Sequence, residues 1–154
     1  MTAYCDTNFY VRLLIEGEAT AIATRKLESI RSAGAPPILV TWLVQLELAN
    51  ALPQIAFLAR QGAAPRFSRE SAAVALARFD DFLAEGIHFA FHALPVGDLT
   101  RVARELSSRH TAQHGFRAYD VAHVASALLL KCDTFWSFDA KASKLAKLEG
   151  LKTL

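Results

Sequence analysis

The chain has 154 residues, of which 53% are hydrophobic and 21% charged, a composition that excludes a disordered chain and can supply a core. It has 17 basic and 15 acidic residues, and the resulting net charge of +2 is too small to indicate nucleic-acid binding by itself. Cys5 and Cys132 are too few for a disulfide framework, and no run of 18 apolar residues predicts a membrane span. We therefore expect a single domain over residues 1–154 in a reducing cytoplasm.

Short apolar, β-prone runs recur along the chain, and longer stretches with helical spacing separate them. A strand followed by a helix at nearly every step is typical of a sheet whose strands run mostly parallel, with helices on both faces. The sequence therefore predicts an α/β fold. The predicted strands are residues 2–5, 38–40, 87–93 and 134–138, with a last edge strand at 151–154.

Seven helices are predicted from the spacing of apolar residues and from the glycines that follow many of them. Pro53 is expected to kink or divide the third helix, because proline lacks the N–H that an interior helical position needs. The polar residues 111–115 are expected to form a loop. The predicted helices are residues 9–15, 19–32, 43–60, 68–84, 96–110, 119–130 and 139–148.

Four carboxylates fall where such a fold gathers functional groups. Asp6 follows the first strand directly, Asp139 follows the fourth, and Asp120 lies at the start of a helix. Glu47 lies about two helical turns beyond the second strand. Functional groups of open parallel sheets lie beyond the carboxyl ends of the strands, so these four side chains are expected to face one edge.

A cluster of this kind has a chemical use. Magnesium prefers oxygen ligands, and carboxylates often hold it together with substrate phosphates. A bound metal can activate water for attack on a phosphodiester and offset charge on the leaving oxygen. Because four carboxylates in one pocket would repel one another without a cation, metal binding is expected if the cluster forms.

Each carboxylate also has a simpler interpretation. Asp6 and Asp139 could serve only as helix N-caps, and the negative charge of Asp120 suits the first turn of any helix. Glu47, between Leu46 and Leu48, would need an exposed helix face, because a buried unpaired carboxylate is costly. Spacing alone leaves both interpretations open.

These carboxylates lie in four segments that resemble, in the same order, the motifs of PIN-domain nucleases, especially the VapC-like toxins of toxin–antitoxin pairs. The segments are Asp6-Thr7-Asn8, residues 46–52 around Glu47, residues 117–127 around Asp120, and residues 134–139 ending in Asp139. The resemblance implies a three-layer α/β/α sandwich with a mostly parallel central sheet of four to five strands. It also implies an endoribonuclease that uses Mg²⁺ or Mn²⁺, forms a homodimer and is restrained by a small antitoxin protein.

The resemblance also implies a role for each matching residue. The metal would be held, directly or through water, by Asp6, Glu47, Asp120 and Asp139. Supporting roles, in which a side chain orients a carboxylate or a metal-bound water, would fall to Thr7, Asn8 and Ser137. No acidic position of the motifs is missing from this sequence.

Several basic and aromatic residues near these segments need separate interpretation. Arg117 is three residues before Asp120 and could contact a substrate phosphate or pair with that carboxylate. His123 is expected to pack or hydrogen-bond near the site, since magnesium sites rarely use imidazole. His110 and His114 are interpreted as residues flanking a solvated loop. Trp42 and Trp136 are interpreted as core or interface residues.

Two other functions remain as alternatives. A non-catalytic RNA-binding or scaffold protein could use the same fold, although the complete acidic set argues against it. A phosphatase of the haloacid-dehalogenase type would also place an Asp after the first strand. It would need a second Asp two residues later, where this chain has Asn8.

Overall fold

A computed structural model describes all 154 residues, Met1–Leu154. Its four strands are β1 (Ala3–Cys5), β2 (Ile38–Val40), β3 (Phe89–Phe91) and β4 (Thr134–Trp136). They form one sheet in the order β3-β2-β1-β4, and every neighbouring pair is parallel. The predicted parallel sheet is confirmed.

Seven helices flank the sheet. Helix α1 packs against α2 and α3, and α3 packs against α4, whereas α6 packs against both α5 and α7. The predicted three-layer α/β/α sandwich is confirmed. No helix combines the length and the apolar character that crossing a bilayer requires. The helices are α1 (Thr7–Leu14), α2 (Thr20–Ser32), α3 (Trp42–Arg60), α4 (Arg69–Glu85), α5 (Val96–His114), α6 (Ala118–Leu129) and α7 (Ala140–Leu148).

Two details of the helices differ from the sequence prediction. Residues 111–115 are not a loop, because α5 continues to His114 and ends where Gly115 adopts a φ of 65°. A left-handed residue at this position is a common helix end, and glycine adopts it without strain. Pro53 does not divide α3, which runs unbroken from Trp42 to Arg60. Pro53 is exposed, so water can satisfy the carbonyl that lacks its usual helical partner.

Every predicted strand except the second was too long: β1 begins at Ala3 rather than at residue 2, and β4 ends at Trp136 rather than at residue 138. The third strand covers Phe89–Phe91 rather than residues 87–93. The C-terminal residues contribute one bridge, between Thr134 and Lys152, rather than a full edge strand. Each regular strand is limited to three residues, which pair with a neighbouring strand.

The core on the α1 side of the sheet contains tightly packed aromatic rings. The fully buried rings of Tyr10, Phe79 and Phe89 form the aromatic cluster. The ring of Tyr10 meets those of Phe79 and Phe89 nearly edge-on, with centroids 5.3 Å apart in both pairs. Burying one such side chain contributes about 1.5–3 kcal/mol, so this cluster helps to anchor α1 and α4 to β3.

The strand order also determines which strands have neighbouring carboxyl ends. Strand β1 lies between β2 and β4, so the order of strands reverses beside it. Cys5 pairs with Trp136, and the N–H of Asp6 donates to the carbonyl of Trp136 over 3.1 Å. The residues that follow β1 and β4 therefore leave the sheet side by side, at the edge where such folds bind ligands.

Candidate active site

Asp6 lies at the end of β1 and caps helix α1. Its Oδ1 accepts a hydrogen bond from the N–H of Phe9 over 3.1 Å, and its Oδ2 accepts one from Ser137 Oγ over 2.5 Å. Only 5% of the residue is exposed. Burial raises the pKa of Asp6 to about 6, although the charge of His123 and the bond from Ser137 oppose this rise.

Asp139 plays the same capping role for α7. Its Oδ1 accepts hydrogen bonds from the N–H groups of Lys141 and Ala142, over 2.7 and 3.3 Å. Its Oδ2 accepts a 2.6 Å bond from Arg117 Nη2. Burial opposes ionisation, but the two backbone donors and the guanidinium outweigh it and lower the pKa of Asp139. Capping therefore uses one oxygen and leaves the other for a cation.

Asp120, in the first turn of α6, is held by the same arginine. Its Oδ2 accepts bonds from the backbone N–H of Arg117 at 3.0 Å and from Arg117 Nε at 3.1 Å. Its Oδ1 accepts a 3.2 Å bond from Arg117 Nη2. The arginine thus bridges Asp120 and Asp139, and these bonds raise its own pKa. Its side chain is 64% exposed, so it lies at the mouth of the site.

Glu47, the fourth carboxylate, is held by His123. His123 Nε2 lies 2.6 Å from Glu47 Oε2, and His123 Nδ1 lies 3.0 Å from the hydroxyl of Tyr4. That hydroxyl is 3.2 Å from Thr41 Oγ1, and Thr7 Oγ1 is 3.4 Å from His123 Nε2. Burial opposes ionisation of Glu47, but the hydrogen bond and charge of His123 outweigh it and lower the pKa of this carboxyl. The imidazole therefore positions Glu47.

All four carboxylates line one cavity of about 680 Å³, which we call the acid cavity. Thr7, Asn8, Arg117 and His123 also line it, whereas Ser137 acts on it through Asp6. The Oδ1 atom of Asn8 is buried and has no hydrogen-bond partner. The structure therefore brings the sequence-predicted residues to one place.

Each of the four predicted carboxylates is hydrogen-bonded to another protein group. No three acidic, histidine or cysteine side chains come together as a group that could hold a metal ion. The donors nevertheless suit a hard cation, because they are carboxylate oxygens and one unpartnered amide oxygen. Burial raises the pKa of Asp6 because it disfavours the charged carboxylate, and a bound cation would favour that charged form. The chemistry of the donor set therefore fits Mg²⁺ or Mn²⁺, although Arg117 is bonded to two of the carboxylates in this structure.

Sequence reasoning missed two residues of this site, Tyr4 and Thr41. Both are buried, and both belong to the hydrogen-bonded chain that ends at Glu47. A tyrosine within an otherwise apolar strand was the available signal, since a buried tyrosine hydroxyl usually finds a partner.

The other histidines and the tryptophans lie elsewhere. His110 Nε2 is 2.6 Å from Glu149 Oε1, and His114 Nδ1 is 3.2 Å from Lys144 Nζ. Trp136 is buried in the core, as interpreted from the sequence, and Trp42 Nε1 donates to a backbone carbonyl over 2.9 Å. None of the four lines the acid cavity.

The family model of the PIN domain matches residues 3–148, nearly the whole chain. The chain belongs to the PIN-domain family. The match spans the four predicted carboxylates and confirms the resemblance found in the sequence motifs. Among curated proteins, none matches the sequence.

Solved structures share this fold at low sequence identity. A chain of VapBC2 from Rickettsia felis, bound to a DNA fragment from the promoter, has a TM-score of 0.68 at 16% identity, covering 100% of this chain and 98% of that one. VapC20 from Mycobacterium tuberculosis, a toxin that cleaves the sarcin–ricin loop, has a TM-score of 0.61 at 17% identity, covering 93% and 94%. A chain of VapBC-1 from nontypeable Haemophilus influenzae has a TM-score of 0.59 at 14% identity, covering 100% and 97%. These likenesses show a common fold.

Proposed function

We propose that this PIN-domain protein is a metal-dependent endoribonuclease that hydrolyses RNA phosphodiester bonds and acts as the toxin of a toxin–antitoxin pair. One observation carries the proposal: acidic side chains from four separate segments line a single cavity beside the ends of β1 and β4. The similar solved structures support it, since VapC20 is an RNA-cleaving toxin and the others belong to VapBC complexes.

Asp6, Glu47, Asp120 and Asp139 would hold the metal, directly or through water. When bound, Mg²⁺ or Mn²⁺ would activate water and stabilise the charge that develops on the leaving oxygen. The protein's own contribution is to fix the oxygens in advance. Ser137 holds one oxygen of Asp6, backbone N–H groups hold one of Asp139, and His123 holds Glu47.

Arg117 would have two roles in this reaction. Its bonds to Asp120 and Asp139 offset their repulsion, in the place where a metal would otherwise do so. To free those oxygens the guanidinium must turn away, and its exposed position leaves room for this. The freed group would then lie at the cavity mouth, where its planar donors suit a substrate phosphate.

Thr7 and Asn8 would have supporting roles beside the first carboxylate. Thr7 Oγ1 lies 3.4 Å from the histidine that holds Glu47. The unpartnered Oδ1 of Asn8 would accept a hydrogen bond from a metal-bound water, and groups of this kind tune metal affinity.

The same proposal includes two protein partners. In a homodimer, the exposed Leu46 and Tyr119 would be covered, and both line an apolar groove of about 610 Å³ between α3, α5 and α6. A small antitoxin would block the acid cavity. Light scattering of the isolated protein tests the dimer, and inhibition of cleavage by a co-expressed partner tests the antitoxin.

The decisive experiment is RNA cleavage in Mg²⁺ by the purified protein and by Asp6→Asn and Asp120→Asn. Each variant should lose activity by about 10²- to 10³-fold, the cost of removing one group that stabilises transition-state charge. Asp80→Asn, which changes an exposed carboxylate on α4, is the matched control. Circular dichroism should show that all variants fold.

Two results would contradict this function. Full activity in both site variants would exclude the proposed residues, and cleavage that persists in excess EDTA would exclude a metal. If there is no cleavage at all and calorimetry detects no metal binding at millimolar concentration, the alternative of a non-catalytic RNA-binding or scaffold protein would be preferred.

A further inference from the structure

A second cavity, of about 700 Å³, lies between the C-terminal half of α3 and the start of α4, and we call it the arginine groove. Arg60 lines it from α3, Arg69 lines it from α4, and Arg66 and Phe67 line it from the connecting loop. Arg66 and Phe67 also line the acid cavity. The two cavities therefore share a wall, and a chain lying in one can continue into the other.

The arginine groove carries unbalanced positive charge. Between Glu47 and Glu70 the sequence has no acidic residue, yet it contains Arg60, Arg66 and Arg69. All three are exposed, and no ion pair of the protein involves any of them. This segment alone carries more net charge than the +2 of the whole chain. An anionic ligand would supply the missing partners.

The groove also presents an aromatic ring. Phe57 is 51% exposed although it is a large apolar side chain, and Arg60 Cζ lies 5.6 Å from the centre of its ring. Exposed rings and arginine planes are the surfaces on which unpaired bases stack, and basic side chains hold the phosphates between them. The groove combines both kinds of surface.

We propose that the arginine groove binds single-stranded RNA that extends from the acid cavity, a proposal that rests on the function proposed for that cavity. Arg66, on the shared wall, contacts the first phosphate beyond the reacting one. Arg60 and Arg69 contact phosphates further along the strand, and a base stacks on Phe57.

The connection between the cavities favours RNA over an acidic peptide as the occupant. A strand with its reacting phosphodiester at the carboxylates can continue past the wall formed by Arg66 and Phe67, because both cavities share these two residues. An acidic peptide would also neutralise the arginines, but nothing in its chemistry requires an exposed ring for stacking. We therefore assign the groove to the substrate and use the peptide as a competing outcome.

The test measures binding without cleavage. Fluorescence anisotropy follows a labelled oligouridine of about 12 nucleotides, within the range of single-strand site sizes, in EDTA over a series of salt concentrations. The triple variant Arg60→Ala, Arg66→Ala, Arg69→Ala should bind at least tenfold more weakly. Its salt dependence should also be smaller, with a slope lower by about 2, because each phosphate contact to a single strand contributes about 0.7.

Matched controls are available on other surfaces. Arg78 Cζ lies 5.7 Å from the ring centre of Phe82, so Arg78→Ala removes the same kind of pair outside both cavities. Phe57→Leu should weaken binding about fivefold by removing one stacked base. Phe91→Leu changes an equally exposed ring, 52% against 51%, and should have no effect.

The outcomes separate this proposal from the proposed function. Binding by the triple variant that equals binding by Arg78→Ala overturns the proposal, as does no measurable binding by the unaltered protein. It is also overturned if an oligoglutamate peptide binds through the arginines more tightly than RNA. Arginine-dependent binding without any metal-dependent cleavage would instead support the groove and contradict the nuclease function.

Discussion

Helix α1 carries two buried oxygen atoms that have no hydrogen-bond partner, and they lie in opposite surroundings. Asn8 Oδ1 belongs to a residue that lines the acid cavity, beside carboxylates and a histidine. The hydroxyl of Tyr10 belongs to a fully buried residue whose ring packs against Phe79 and Phe89. The two unpartnered atoms therefore differ in access: a ligand or water in the acid cavity can satisfy the first, whereas the second belongs to a fully buried residue that does not line this cavity.

The same contrast holds for the two regions as wholes. The aromatic cluster is uncharged, and its buried rings pack against one another. The acid cavity is incomplete, because Asp6 is nearly fully buried and its pKa is raised to about 6. The ionised carboxylates of the acid cavity should therefore destabilise the metal-free protein, whereas the aromatic cluster has no charge that could do so.

The largest expected effect is on stability without metal. Asp6→Asn should raise the free energy of unfolding of the metal-free protein at about pH 8 by up to about 3 kcal/mol, since each unit of pKa shift corresponds to about 1.4 kcal/mol. Asparagine keeps an oxygen that can cap α1, so this change removes the charge and keeps the helix cap, but it loses the bond that Asp6 Oδ2 accepts from Ser137. Urea unfolding in EDTA measures the difference, with Asp80→Asn as control.

The pH dependence of this gain has a definite sign. The folded-state pKa of Asp6, about 6, lies above its ordinary value of 3.8, so the folded protein binds the proton more tightly than the unfolded chain does. The cost of ionisation is therefore absent well below pH 4, grows as the pH rises from about 4 to about 6, and is nearly constant above that. A variant that is destabilised at every pH would show that the hydrogen bonds of Asp6 matter more than its charge.

The sequence could predict the parts of the site that depend on neighbouring residues. Asp6 and Asp139 lie next to short apolar runs that predict buried strands. Their positions at the edge of the sheet therefore follow from the local sequence pattern. The alternation of strands and helices then implies the parallel sheet. The metal-binding role of the four carboxylates stays a prediction.

Pairings between distant residues could not be predicted in the same way. Arg117 reaches Asp139, 22 positions away, and Tyr4 reaches His123, 119 positions away. Such contacts depend on how α6 packs against β1 and α7, which no local pattern contains. The end of α5 was misplaced for a related reason, since the polar residues 111–114 read as a loop although α5 continues through them.

A smaller effect is expected at Asn8, whose Oδ1 has no hydrogen-bond partner. Asn8→Ala should weaken Mg²⁺ binding by about tenfold, the lower end of the cost of losing a group that supports metal ligands. Calorimetric titration measures the affinity, and Asn50→Ala, at an exposed position of α3 outside the acid cavity, is the control. Unchanged affinity would remove Asn8 from the proposed metal site.

The smallest effect is expected at Tyr10, in the aromatic cluster. Tyr10→Phe removes the unpartnered hydroxyl and keeps the ring, so it should stabilise the protein by about 1 kcal/mol, because a buried polar group without a partner costs folding free energy. Mg²⁺ affinity should stay the same, since Tyr10 does not line the acid cavity. Thermal and urea unfolding measure the gain. Loss of stability would mean that the hydroxyl is satisfied after all, and the contrast with Asn8 would then disappear.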